Sequence, residues 1–377
     1  MLFSVKQHKF IIAVLIATLP LFGFANPTDS LQVKPVATAE VQSATEAPKV
    51  LTEDEKKSGE INEHIEHHVL DAHSFVLLSD SETGKDYGFP LPIILWDNGL
   101  HVFSSAKFGD GGHKVAESNG NYYKLGHDEK IHKTDAAGTM TDEALPLDFS
   151  ITKSVLTLMV VALLMFWLFV SLAKSYVKNG GISSGVGRLF EPIVLYIRDE
   201  IAIPNIGEKH YKKYMSYLLT VFFFVWFLNL FGLTPLGINV TGNIAITFGL
   251  AIVTFIITNV TANKHYWGHI FWMPGVPVLM KIILAPIELL GVFIKPFALM
   301  IRLYANMFAG HIVLMSLIAL MFLFKNWFGS SMSFLLSFAI STIEILVALL
   351  QAYIFTMLTA LYFGAAKQEH HHEESHV

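Results

Sequence analysis

Between Lys213 and Lys264 the chain runs for 50 residues without a charged side chain. At ~1.5 Å per helical residue, such a run is long enough to cross a ~30 Å hydrocarbon layer twice. It is punctuated only at Gly232-Leu-Thr-Pro235 and from Gly237 to Gly242, so it predicts two spans, 214–232 and 243–262. Composition agrees: over 377 residues, 53% hydrophobic and 15% charged side chains leave too few charges to solvate the surface. A water-soluble enzyme is excluded. The absence of cysteine also excludes a disulfide framework, a thiolate metal site and a cysteine nucleophile.

Three further spans complete an all-α polytopic membrane protein with about five crossings. Lys153 and Lys174 bracket 20 uncharged residues, the first span. Two longer apolar stretches, 282–324 and 332–366, are separated by Lys325, Asn326, Gly329, Ser330 and Ser331. The first of these would run about 65 Å as one helix, roughly twice the hydrocarbon thickness, so a strong tilt or a helical hairpin is expected. Lys174, Lys178, Arg188, Arg198, Lys209, Lys212 and Lys213 follow the first span, whereas 233–242 carries no basic residue. The positive-inside rule therefore places 174–213 and the C-terminus in the cytoplasm, with a His/Glu-rich tail at 368–377.

Ahead of the membrane region the character changes. Residues 1–25 combine Lys6 and Lys9 with an apolar stretch from Phe10 to Phe24, which reads as a secretory signal peptide. Residues 26–59, rich in Thr, Ala, Pro, Glu and Lys, read as a disordered tether. Residues 60–150 predict a small exported α+β domain, with a helix near its start and strands at Phe75–Leu78, Ile93–Trp96 and His101–Phe103. Net charge divides sharply: −12 over 26–150 and +5 over 151–377. The cations of the membrane half are spread between apolar segments, which excludes a nucleic-acid surface.

The chemistry is concentrated in the two long stretches. Glu288, Lys295 and Arg302 recur at seven-residue intervals and share one helix face. A guanidinium stays charged in any protein, and near mid-bilayer it costs roughly 3 kcal/mol on insertion scales, so Arg302 marks a functional position. Asn306 lies one turn on, and His311 about 13 Å beyond Arg302. In the returning stretch Glu344 and Gln351 are again seven apart. Antiparallel packing that levels Gln351 with Arg302 brings Glu344 toward the depth of His311. A histidine and a carboxylate on one side, a fixed cation in the middle and Glu288 on the other form an interrupted proton path.

The run Lys295-Pro-Phe-Ala-Leu-Met-Ile-Arg302-Leu-Tyr-Ala-Asn306-Met-Phe-Ala-Gly310-His311 resembles the signature of the subunit a family of F-type ATP synthases. Leu350-Gln351-Ala-Tyr-Ile-Phe355 is similar to a second signature of that family, and Asn229-Leu-Phe-Gly-Leu-Thr-Pro235 to the end of its second span. The resemblance covers about residues 150–367. It implies a proton-translocating F0 subunit without a cofactor, whose partners are the c-ring, the subunit b peripheral stalk and the remaining ATP synthase subunits, in a bacterial inner membrane. The long helices would form a hairpin against the ring. Arg302 would face the ring carboxylate with Gln351 and Asn306 beside it. Glu288 would line the cytoplasmic half-channel, and His311 with Glu344 the periplasmic one. His311 and Glu344 stand in the order of mitochondrial relatives, exchanged with respect to many bacterial ones. The exported domain is not explained by the resemblance.

Two other classes compete. An ion-coupled secondary transporter also places ionisable groups in mid-membrane, but it predicts internal repeats, and the sequence shows none. A metal-dependent membrane enzyme is prompted by His64, His67, His68 and His73 and by His370, His371 and His372; neither cluster has the HExxH order.

Overall fold

A computed structural model of the chain describes residues 71–367, apart from 81–84, 110–113, 127, 142–144, 179, 181–184, 186, 235–238, 274 and 324–326. The signal peptide, the tether, the expected helix near residue 60, the tail at 368–377 and His64, His67, His68, His370, His371 and His372 all lie outside the described residues. Among the described residues, contacts divide the chain into two compact units: 151–311 with 338–367, and 71–150 with 312–337.

In the second unit, the described part of the extramembrane domain is built of strands. These are β1 (Ser74–Asp80), β2 (Lys85–Pro90), β3 (Pro92–Trp96), β4 (Leu100–Ser104), β5 (Ala116–Ser118), β6 (Asn121–Leu125), β7 (Ile131–Thr134) and β8 (Leu147–Asp148). They pair as β1-β2, β4-β3-β8 and β5-β6-β7. The three strands expected from sequence fall within β1, β3 and β4. Alternation does the sorting: Ile93 and Leu95 on β3 and His101 and Phe103 on β4 point inward. They meet Phe108, Ala116, Tyr123 and Ile131 in one apolar core, which His101 adjoins. Asn119 and Gly120 both take positive φ, 52° and 82°, which a two-residue hairpin between β5 and β6 requires. Asp97 accepts from the Tyr123 hydroxyl at 3.3 Å and pairs with Lys133 at 2.7 Å, closing the core with a satisfied polar link.

From residue 153 on the chain is helical, and the two longest helices belong partly to each unit. The elements are α1 (Lys153–Lys178), α2 (Gly187–Tyr196), a wider π turn at Ile197–Ala202, α3 (Ile203–Ile206), α4 (Tyr211–Gly232), α5 (Ile244–Thr261) and α6 (Lys264–Phe271), followed by two long helices. Helix α7 is Val278–Leu323, 46 residues, and α8 is Trp327–Lys367, 41 residues. Among the described residues five helices are long and apolar enough to cross a membrane: α1, α4, α5, α7 and α8. All five coincide with the spans expected from sequence. Differences are local: α8 already begins at Trp327, so Gly329, Ser330 and Ser331 belong to the helix and not to the turn.

The basic 174–213 connection holds α2, the π turn and α3. Pro204 has no N–H for the Glu200 carbonyl. Just before it the ladder is widened, with the Ile203 N–H donating to the Arg198 carbonyl.

Helix α4 is the most enclosed span, with 72% of its most apolar window buried against 28% for α1. It is apolar all round because it is surrounded. Phe169 of α1 and Phe190 of α2 meet Phe223 edge-on at 5.2 and 5.6 Å. Tyr217 shares a 2.8 Å hydrogen bond with Thr254 of α5, and Tyr214 stacks on Phe363 of α8 at 4.4 Å. The long helices instead leave Ile287, Phe293, Ile301, Leu335 and Leu346 exposed, as a surface facing lipid or another chain does.

Candidate functional site

Arg302 sits near the middle of α7 with its side chain exposed, flanked by buried Leu299 and Leu303. Among the described residues it forms no hydrogen bond or ion pair, and Tyr362 of α8 lies within its electrostatic reach. One turn on, the Asn306 amide donates to Gln351 Oε1 at 2.9 Å. Gln351 is almost fully buried in α8, so this bond fixes the register of the two long helices beside the guanidinium.

The next turn carries the other two expected residues, which make no hydrogen bond or ion pair with each other. Glu344 lies against Gly310, where an added Cβ would stand 2.5 Å from Glu344 Oε1. Glycine is what lets a carboxyl group from α8 settle on the backbone of α7, immediately before His311. His311 Nε2 and both carboxyl oxygens of Glu344 are shielded and without a hydrogen-bond partner among the described residues. Buried polar atoms left open in this way need water, an ion or a transferable proton to complete them.

Toward the other end of α7 the expected stripe stays together. Glu288 is half-buried within electrostatic reach of Tyr266 on α6, and Lys295 Nζ lies 5.7 Å from the centre of the Tyr362 ring. Between α5, α6, α7 and α8 lies a cavity of about 20 Å³ lined by Thr258, Asn259, Tyr266, Lys295 and Tyr362, among others. That is room for about one water. The side-chain oxygen of Asn259, Oδ1, is buried and unpartnered among the described residues beside it.

A supporting network was not legible in advance. The Thr241 hydroxyl donates to Asn229 Oδ1 at 2.8 Å, and the Asn229 amide reaches the Ala348 carbonyl at 3.5 Å, one turn before Gln351. Asn239 spans 3.5 Å to the Met307 carbonyl, next to Asn306. Asn229 opens the Asn229–Pro235 motif, but its partners are set only by packing. The sole sequence hint for Asn239 and Thr241 was polarity inside an uncharged run.

These features define a polytopic membrane protein whose two longest helices bring ionisable and amide side chains together along one seam. Residues 155–364 match the family model described as ATP synthase A chain. The chain belongs to that family. It is 41% identical over 235 residues to the ATP synthase subunit a of Chloroherpeton thalassium, covering 61% of this chain and 70% of the relative. It is also 41% identical over 237 residues to that of Myxococcus xanthus, covering 61% and 77%. With ATP synthase subunit a 2 of Prosthecochloris aestuarii the identity is 38% over 304 residues, covering 75% and 93%. Residues 64–149 match a separate family, described only as a domain of unknown function (DUF8433).

Proposed function

We propose that the chain is the proton-translocating stator subunit of an ATP synthase, a non-catalytic membrane component of the complex. It lies in a bacterial inner membrane, with residues 60–150 in the periplasm, the 174–213 connection and the C-terminus in the cytoplasm. Its partners are a ring of c subunits and the peripheral-stalk subunit b. A proton enters past His311 and Glu344, neutralises a carboxyl group of the ring, travels with the ring, and leaves beside Glu288. Arg302 separates the two paths. At ~4 Å and an effective dielectric constant of about 20, a unit ion pair is worth about 4 kcal/mol, enough to favour the ionised ring carboxylate and expel its proton. The same charge repels a proton attempting to pass straight between the paths.

The observation that carries this reading is an exposed Arg302 without a counter-charge among the described residues, held beside the Asn306–Gln351 bond. A permanently charged group in such a place is completed by an acid from another chain. ATP-driven proton pumping by inverted vesicles in sodium-free buffer tests it. Arg302→Lys is expected to reduce pumping to background, because a compact ammonium cannot reproduce the planar fork of donors. Near-normal pumping by that variant overturns the assignment.

A further inference from the structure

From Lys209 to Ile287 the chain contains Lys209, Lys212, Lys213, Lys264 and Lys281 and not one acidic residue. The last four of these lysines gather at one end of the helical unit, by connectivity alone: the start of α4, the end of α5, all of α6 and the start of α7. Helix α6 follows the apolar span α5 after two residues, Ala262 and Asn263, and α7 opens soon after it, so α6 lies at the boundary of the bilayer.

Its composition suits that boundary. Lys264, His265, Trp267, Phe271 and Trp272 are exposed, while Ile270 is buried. Trp267 stacks on Phe271 at 6.2 Å, and Lys281 Nζ is held 4.7 Å from the centre of the Trp272 ring. The Asn263 N–H donates to the Ala366 carbonyl, and Lys367 Nζ donates to Asn263 Oδ1 at 3.0 Å, which draws another cation to the same rim. Among the described residues neither Lys264 nor Lys281 has an ion-pair partner.

We propose that α6, with the start of α7, binds the headgroup of an anionic phospholipid of the surrounding leaflet. Lys264 and Lys281 face the phosphate, and Trp267 and Trp272 lie at the level of the glycerol backbone. The charge is of one sign, the tryptophans match the polar–apolar boundary, and such a lipid is the anion that a membrane supplies at that depth.

The test uses the full chain in nanodiscs of phosphatidylcholine containing phosphatidylglycerol, with lipids retained after detergent release counted by native mass spectrometry. Removing each lysine charge, Lys264→Gln or Lys281→Gln, is expected to weaken phosphatidylglycerol retention about fivefold, and both together roughly 25-fold. Phosphatidylcholine should be unaffected, and Lys264→Arg with Lys281→Arg should restore retention. Unchanged phosphatidylglycerol in the double Gln variant overturns the proposal. So does displacement by millimolar inorganic phosphate, which would mark a free-anion site, or wild-type retention of phosphatidylcholine equal to that of phosphatidylglycerol.

Discussion

Gly310 shows how much can depend on a missing methyl group. The carboxyl group of Glu344 occupies the space that any larger residue at 310 would fill, so Gly310→Ala must displace that carboxyl group from the α7 backbone. Proton pumping should fall at least about tenfold, and shortening the acid in Gly310→Ala/Glu344→Asp should recover much of it. If Gly310→Ala pumps normally, the close seating has no bearing on transport. In the extramembrane domain, buried His73 Nε2 lies 2.8 Å from Asp148 Oδ2. Burial opposes the charged imidazole, but the Asp148 hydrogen bond and charge, with Asp71 and Glu129 behind it, outweigh that and raise its pKa above 6.5. Burial likewise opposes the Asp148 carboxylate, yet His73 and Ser150 hold its pKa below 3.8. The histidine contribution is complete below about pH 6.5 and fades as pH rises through the raised value. That of the aspartate is complete above about pH 3.8 and fades as pH falls through the lowered value. Amide exchange around β8, corrected for intrinsic rate, should therefore be slower at about pH 5.5 than at about pH 8.5, and His73→Gln should abolish the difference.

At the scale of elements, the five spans were legible because lysines and glycines bracket them and apolar length alone fixes a crossing. The extended length of α7 also followed from the lack of any polar turn between Phe297 and Phe324. Seven-residue spacing put Gln351 and Glu344 on one face, and the structure joins them to Asn306 and Gly310. Helices α2, α3 and α6 were not legible: short boundary helices mix charges with aromatic residues, and without a long apolar stripe they read as loops. Nor could sequence reveal that α3 packs backbone-first on α8, where a side chain at Gly364 would collide with the Asn205 carbonyl. Gly364→Ala should consequently destabilise the helical unit by about 1–3 kcal/mol. A lowered thermal midpoint in detergent would show it, and an unchanged midpoint would mean that α3 shifts freely.

For the molecule as a whole, charge drew a border at residue 150, with an acidic segment before it and a basic, apolar one from 151. Two family matches, 64–149 and 155–364, respect the same border. The candidate site stood out in the sequence because an ionisable group in a greasy helix is costly. Its supporting amides did not, since hydrogen bonds from Asn229, Asn239 and Thr241 depend on which helices become neighbours.

The reach of α7 has a mechanical corollary. A straight rod of 46 residues measures about 69 Å, and no film half as thick can hold it upright. Laid aslant, it offers a neighbour groups from many depths along a single oblique line. Glu288, Arg302 and His311 follow one another over 23 residues of that rod, about 35 Å along its axis, more than the film is thick.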